Sequence, residues 1–284
     1  FPTSLLAASA FYALTMGWQP FLAVWIVRRW IDPPGYLDHG LRPAPPALLV
    51  LGTVVSLLLT GASMLIASLA GPLDLAGSSV AVAAVPEAVP PTPSWSAAGA
   101  LALAFAGTVV LVSVQAFSEE LGWRGYFLVR LMQQLGPWPG LLLHGVVWGA
   151  WYAPVVLLAS GDPESGWVAG LTFVVTCALL GALLGWLRLA GRSLLLAVLA
   201  NAVLTIAAGL PFILRGMDVG TRSAAYGPAG WIPLLLTLGV LFTGPTRRAI
   251  VTPLGGEASP RASGLWRLLE QVISRNGSGR PRER

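Results

Sequence analysis

Long apolar runs without a charge constrain this chain more than any other feature. Between Trp95 and Phe117 no ionisable side chain occurs, and the same holds from Ala47 to Ala70. A bilayer core about 30 Å thick needs roughly 20 apolar residues of helix to cross it. Runs of that kind predict spans at Leu5–Val27, Ala47–Ala70, Ser96–Phe117, Pro139–Ala159, Trp167–Leu187, Leu194–Leu214 and Ala229–Thr243. The last is the shortest. Charged residues make up only 10% of the chain and the mean hydropathy is +0.74. An ordinary soluble domain carries about 25% charged residues. The composition therefore excludes a soluble enzyme, a disordered chain and a basic nucleic-acid-binding domain. The expected fold is all-α, a polytopic membrane helical bundle of about seven transmembrane helices with short interfacial helices. The first run does not read as a signal peptide, because it is too long and its basic residues follow the run. No internal repeat is evident.

The basic residues orient the spans. All are arginine. With the cytoplasm placed after the first span, fifteen arginines fall inside, and only Arg215 and Arg222 fall outside. The outer loop Gly71–Ser94 carries Asp74 and Glu87 and no base. This positive-inside bias predicts a multi-pass cell-membrane protein with its N-terminus outside and its C-terminus in the cytoplasm. The expected division is a transmembrane domain over 1–245 and a basic cytoplasmic tail over 246–284. Within the tail, Leu265, Trp266, Leu268, Leu269, Val272 and Ile273 recur at helical spacing. They suit an amphipathic helix over 264–275 on anionic headgroups, with a solvated tail as the equal alternative. Tyr126–Leu135 is too short to span and is expected along the cytoplasmic face. Cys177, the single cysteine, reads as a buried inert thiol. Trp95, Trp138, Trp167 and Trp231 read as interfacial anchors, and Gly170, Gly181, Gly185, Ala197 and Ala200 as close-packing positions. The lipid bilayer is thus one partner, and nucleic acid is not expected.

Ionisable residues at the edge of a span are functional candidates by default. One cluster stands out: Ser118-Glu119-Glu120-Leu121-Gly122-Trp123-Arg124-Gly125-Tyr126. Adjacent carboxylates on a helix point about 100° apart and cannot face one partner. Glu120 and Arg124 are spaced i, i+4 and can pair. An anchored carboxylate beside a less compensated one suits general acid–base chemistry. A charged cap on an interfacial helix end fits the spacing equally well.

These residues resemble the Glu-Glu-x-x-x-Arg motif of the CPBP intramembrane proteases, the CAAX/Abi family related to the type II CAAX prenyl endopeptidase. The stretch Tyr126–Trp138 is similar to the family's short helix after that motif. The resemblance covers a core of about 96–208. Trp148-Gly-Ala-Trp151-Tyr152-Ala-Pro154 fits the frame of the second motif, Phe-x-x-x-His, with Trp148 at the Phe and Tyr152 at the His. For the third motif, His-x-x-x-Asn, Asn201 falls at the His and Thr205 at the Asn. Both family histidines are thus replaced. The resemblance implies peptide-bond hydrolysis near the cytoplasmic leaflet, with a peptide or membrane-protein substrate. In that scheme Glu119 would activate water, Glu120 would be partner or ligand, and Arg124 the ion-pair anchor.

Of the two histidines, His39 lies in a loop and reads as solvated. His144 shares a helix face with Trp148 and Tyr152 at successive i+4 steps. It is expected to approach the carboxylates, or else to hydrogen-bond a helix carbonyl. Zinc is the one cofactor to consider. Catalytic zinc takes three protein ligands and an open position, and Glu119, Glu120 and His144 are the only set available. A metal-free scheme stays open, in which Asn201 and Tyr152 donate hydrogen bonds to a developing oxyanion. Three readings follow: an intramembrane endopeptidase of metal-dependent or metal-free type, a catalytically inactive relative that binds peptides or partner helices, and a proton-relaying transporter. The last lacks further charges within the spans.

Overall fold

A computed structural model describes residues 17–31, 40–69, 95–159, 163–215, 227–243 and 247–251. The start of the first apolar run, His39, the loop Gly71–Ser94 and the expected amphipathic helix over 264–275 lie outside the described residues. Among the described residues the chain is helical, with no strand. The order is α1 (Gln19–Ile26), a π-helical turn (Val27–Ile31), α2 (Pro46–Leu69), α3 (Trp95–Glu120), a π-helical segment (Leu121–Phe127), α4 (Leu128–Leu135), α5 (Pro137–Ala159), α6 (Pro163–Ala190), α7 (Leu194–Arg215), α8 (Pro228–Thr243) and α9 (Arg248–Val251).

Proline explains several of these starts. Pro46, Pro137, Pro163 and Pro228 each open a helix, where a missing N–H is not needed and the fixed φ already suits the helix. Gly136 separates α4 from α5 at φ 86°, a left-handed backbone that glycine tolerates best. Pro154 and Pro233 lie inside α5 and α8. Interior prolines are tolerated in membrane helices because neighbouring groups can satisfy the freed carbonyl.

Among the described residues, three helices are long and apolar enough to cross a membrane: Pro46–Ala67, Pro137–Leu157 and Gly166–Ala190. Leu194–Ala208 and Pro228–Thr243 are shorter apolar helices. This is the clearest set, narrower than the seven expected spans. The run after Trp95 is a 26-residue helix that carries Glu119 and Glu120 in its last turn. In the first run, the described part is an eight-residue helix followed by a π turn. The outward faces are apolar: Leu58 on α2, Leu111 on α3 and Leu236 on α8 are each about two-thirds exposed or more. Such surfaces suit lipid.

The tightest pairing joins α5 and α6, and it is built from glycine. A Cβ on Gly145 would meet the Ala178 Cα at 2.7 Å, and one on Gly149 the Val174 Cα at 2.6 Å. Gly181, expected as a close-packing position, faces the Gly145 Cα in the same seam. Close backbone approach of this kind drives helix association where lipid offers no hydrophobic gain. Around the seam, Leu180, Leu183, Leu184 and Leu187 of α6 pack with Leu196, Ala197, Ala200 and Leu204 of α7. Cys177 is buried here, as expected.

The structure adds to three sequence expectations. Tyr126–Leu135 is short and helical, with Gln133, Gln134 and Leu135 exposed. It continues α3 without a break through the π-helical segment, and Leu128 and Val129 are buried. Arg124 and Arg188, counted with the arginines facing the cytoplasm, are fully buried. The Arg188 guanidinium lies under the backbone of Gly40, whose φ of 70° and lack of a Cβ permit the approach. Trp231 is an interhelical tie, its Nε1 donating to Thr176 Oγ1 at 2.8 Å.

Candidate active site

The polar centre of the molecule is built where α3 ends. The last turn of α3 carries Ser118, Glu119 and Glu120, and the π-helical segment follows at once. Its wider turn is visible in the bond from the Leu128 N–H to the Trp123 carbonyl, five residues back. Single π turns interrupt α-helices most often at functional sites. Ser118, Glu120 and Arg124 are wholly buried, and Glu119 is 6% exposed.

The expected ion pair forms. Arg124 Nη1 donates to Glu120 Oε1 at 2.8 Å, with both side chains buried. Asn201, from α7, donates its Nδ2 to the same oxygen at 2.9 Å. The guanidinium also stacks on Trp148 of α5, 3.9 Å from the ring centroid. A desolvated cation–π contact of this kind is worth about 2 kcal/mol. Glu120 is therefore held by a charge, an amide and, through Arg124, an aromatic face.

Glu119 is held differently. Tyr152, from α5, donates its hydroxyl to Oε2 at 2.9 Å. Gln115, one turn back on α3, donates Nε2 to Oε1 at 3.3 Å. Both donors are neutral. Gln115 was not among the residues singled out in the sequence, although its i, i+4 spacing to Glu119 was available as a signal.

The centre thus joins Glu119, Glu120, Arg124, Tyr152 and Asn201 in one network. Tyr152 and Asn201, the residues at the two family histidine positions, are each the donor to one carboxylate. Thr205, at the third motif's Asn position, is exposed. His144 stays apart. It is fully buried, but its ring packs against Trp123 and Phe127, each with centroids 6.3 Å away. Neither ring nitrogen finds a hydrogen-bond partner among the described residues, and the same holds for Glu120 Oε2 and for Arg124 Nε and Nη2.

The donor set does not fit a three-ligand zinc site. Among the described residues no three His, Cys, Asp or Glu side chains converge. Arg124 pairs with Glu120 Oε1, and His144 packs among rings away from the carboxylates.

An apolar cavity of about 210 Å³ lies beside this centre. Pro20, Ala23 and Val24 of α1 form one wall, and Gly122, Trp123 and Tyr126 of the π-helical segment the other.

Residues 100–207, the stretch that supplies the whole network, match the family model described as type II CAAX prenyl endopeptidase Rce1-like. This core is similar to the CAAX protease family. A similar relative is the CAAX prenyl protease 2 of Methanococcus maripaludis, 27% identical over 108 residues. That alignment covers 36% of this chain and 40% of the relative. No solved structure matches the chain. The matched stretch and the polar centre coincide: Glu119, Glu120, Arg124, Tyr152 and Asn201 all lie inside the matched residues.

Proposed function

We propose that this chain is an intramembrane endopeptidase that hydrolyses a peptide bond of a membrane-associated substrate, with Glu119 as general base. The observation that supports the reading is the unequal holding of the two carboxylates. Glu120 is fixed by Arg124 and Asn201. Glu119 is held only by neutral donors, which can exchange for water and substrate at modest cost. Glu119 would take a proton from water as it attacks the substrate carbonyl and return it to the leaving amine as the C–N bond breaks. The Tyr152 hydroxyl, released from Oε2, would donate to the developing oxyanion, and Asn201 would hold Glu120 in place. General-base catalysis of this type contributes roughly 10²–10⁴-fold. No step passes through a metal.

A second reading is favoured by a separate observation: three of the four carboxylate oxygens have a donor from the protein, as in a satisfied structural network. In that case the chain binds peptides or partner helices without cutting them.

The test is cleavage of a membrane-peptide library by the protein in proteoliposomes, for the parent and Glu119→Gln, with metal content measured before and after a chelator. The expected result is cleavage by the parent that survives the chelator and is lost in Glu119→Gln with folding intact. If no peptide is cleaved in a Glu119-dependent way, the binding reading replaces this one. Tyr152→His combined with Asn201→His is then expected to create zinc binding where the parent has none, because it restores the family's motif residues.

A further inference from the structure

The carboxylate read here as the base is linked to the start of the described chain by a single side chain. Gln115 donates Nε2 to Glu119 Oε1 at 3.3 Å on one side. On its other side it is covered by the buried turn residue Gly17, just before α1. A Cβ placed on Gly17 would meet Gln115 Cγ at 2.8 Å and Nε2 at 2.9 Å. The next turn of α1 is seated as closely. A Cβ on Gly122 would meet the Pro20 backbone carbonyl carbon at 2.8 Å and its oxygen at 2.9 Å. The apolar cavity then opens between Ala23, Val24 and the π-helical segment. Leu22, Trp25 and Ile26 on the rest of α1 are roughly half exposed. The turn that leads into α1 thus meets Gln115, the residue that donates to Glu119.

We propose that Gln115 is a positioning residue for Glu119 and that α1 sets it through Gly17. With α1 seated, Gly17 packs against the Gln115 amide, whose N–H fixes one carboxylate oxygen while Tyr152 fixes the other. If α1 withdraws, Gln115 is released and Glu119 keeps one donor. The seat of α1 then tunes the readiness of the base. This rests on the reading of Glu119 as the reactive carboxylate, and it adds a control point that the CAAX protease motifs do not contain.

Gly17→Ala provides a selective test. The added methyl meets the mobile end of a glutamine rather than backbone, so the fold can accept it while the amide is pushed aside. The variants are Gly17→Ala, Gln115→Leu, which keeps bulk but loses the donor, and the double variant. Two readouts are used in proteoliposomes. One is the labelling rate of Glu119 by an apolar carbodiimide, which reacts with protonated carboxyl groups and needs no cleavage. The other is the pH profile of kcat against kcat/KM on a cleaved peptide. An amide donor favours the charged carboxylate. Gln115→Leu is therefore expected to speed labelling roughly fivefold, the worth of one net hydrogen bond. Gly17→Ala is expected to reproduce most of that change and to displace the pH profile in the same direction. The double variant is expected to match Gln115→Leu alone. Unchanged labelling in Gln115→Leu overturns the positioning role. A shift in Gln115→Leu with none in Gly17→Ala overturns the control by α1, as do additive effects in the double variant. If no peptide is cleaved, the endopeptidase reading fails, while the labelling arm still decides this proposal.

Discussion

Glu119 and Glu120 are neighbours in the chain, yet their surroundings differ in kind. Glu120 lies in a fully buried region that contains a cation, an amide and the face of Trp148. Glu119 lies in a region of neutral donors on the side reached by α1. The roughly 100° between successive helix positions produces this division, sending one carboxylate towards α7 and the other towards α5. An apolar environment makes both carboxylates costly, and the protein offsets the cost by charge at one and by hydrogen bonds alone at the other. Charge pairing locks a group in place, whereas neutral hydrogen bonds leave it available for proton transfer.

The largest stability effect is expected where the comparison is sharpest. Arg124→Ala leaves Glu120 buried without its cation, and breaking a buried pair from one side costs about 3–5 kcal/mol. Thermal unfolding in detergent is expected to show that loss, and Glu120→Gln added to Arg124→Ala is expected to recover part of it. If Arg124→Ala melts like the parent, Glu120 is no more anchored than Glu119 and the contrast dissolves.

The glycine seam provides a purely apolar control. Gly149→Leu places a side chain against the Val174 backbone, and overpacking of a close-packed contact costs about 1–3 kcal/mol. A lower melting temperature is expected with no added effect on Glu119 labelling. A labelling change comparable to that of Gln115→Leu would mean that the two regions are mechanically joined.

The smallest effect is expected at Tyr152. Tyr152→Phe removes one hydrogen bond to Glu119 and is expected to change stability by about 1 kcal/mol, with a clear fall in kcat and little change in KM. A loss of stability as large as that of Arg124→Ala would make the Glu119 side an equal structural anchor.

Much of this was legible from the sequence, for identifiable reasons. Apolar runs and opening prolines mark helices directly, and the i, i+4 spacing of Glu120 and Arg124 foretold a pair that survives the change from α to π geometry. His144 shows where spacing misleads. Each i+4 step turns about 40° beyond a full circle, so two steps from Tyr152 leave His144 about 80° around the helix and some 12 Å along it. It meets Trp123 and Phe127 rather than the carboxylates. The π-helical segment that presents those rings has no clear sequence mark, since its backbone shift depends on tertiary packing. Gln115 was missed because one amide in a long apolar helix reads as incidental until its neighbour on another helix is known. A charge count does not show that the backbone at Gly40 covers Arg188, because that depends on how the chain folds back.

The division between the two carboxylates is tested most directly by unfolding Glu119→Gln and Glu120→Gln side by side with the parent, in the same detergent and with cleavage measured on the same samples. Glu119→Gln is expected to melt at or above the parent and to lose cleavage, because the amide keeps the neutral hydrogen bonds but cannot accept a proton from water. Glu120→Gln is expected to melt well below it, because Arg124 is left buried without its counter-charge. The reverse order, with Glu119→Gln the destabilised variant and Glu120→Gln melting like the parent, would contradict the account.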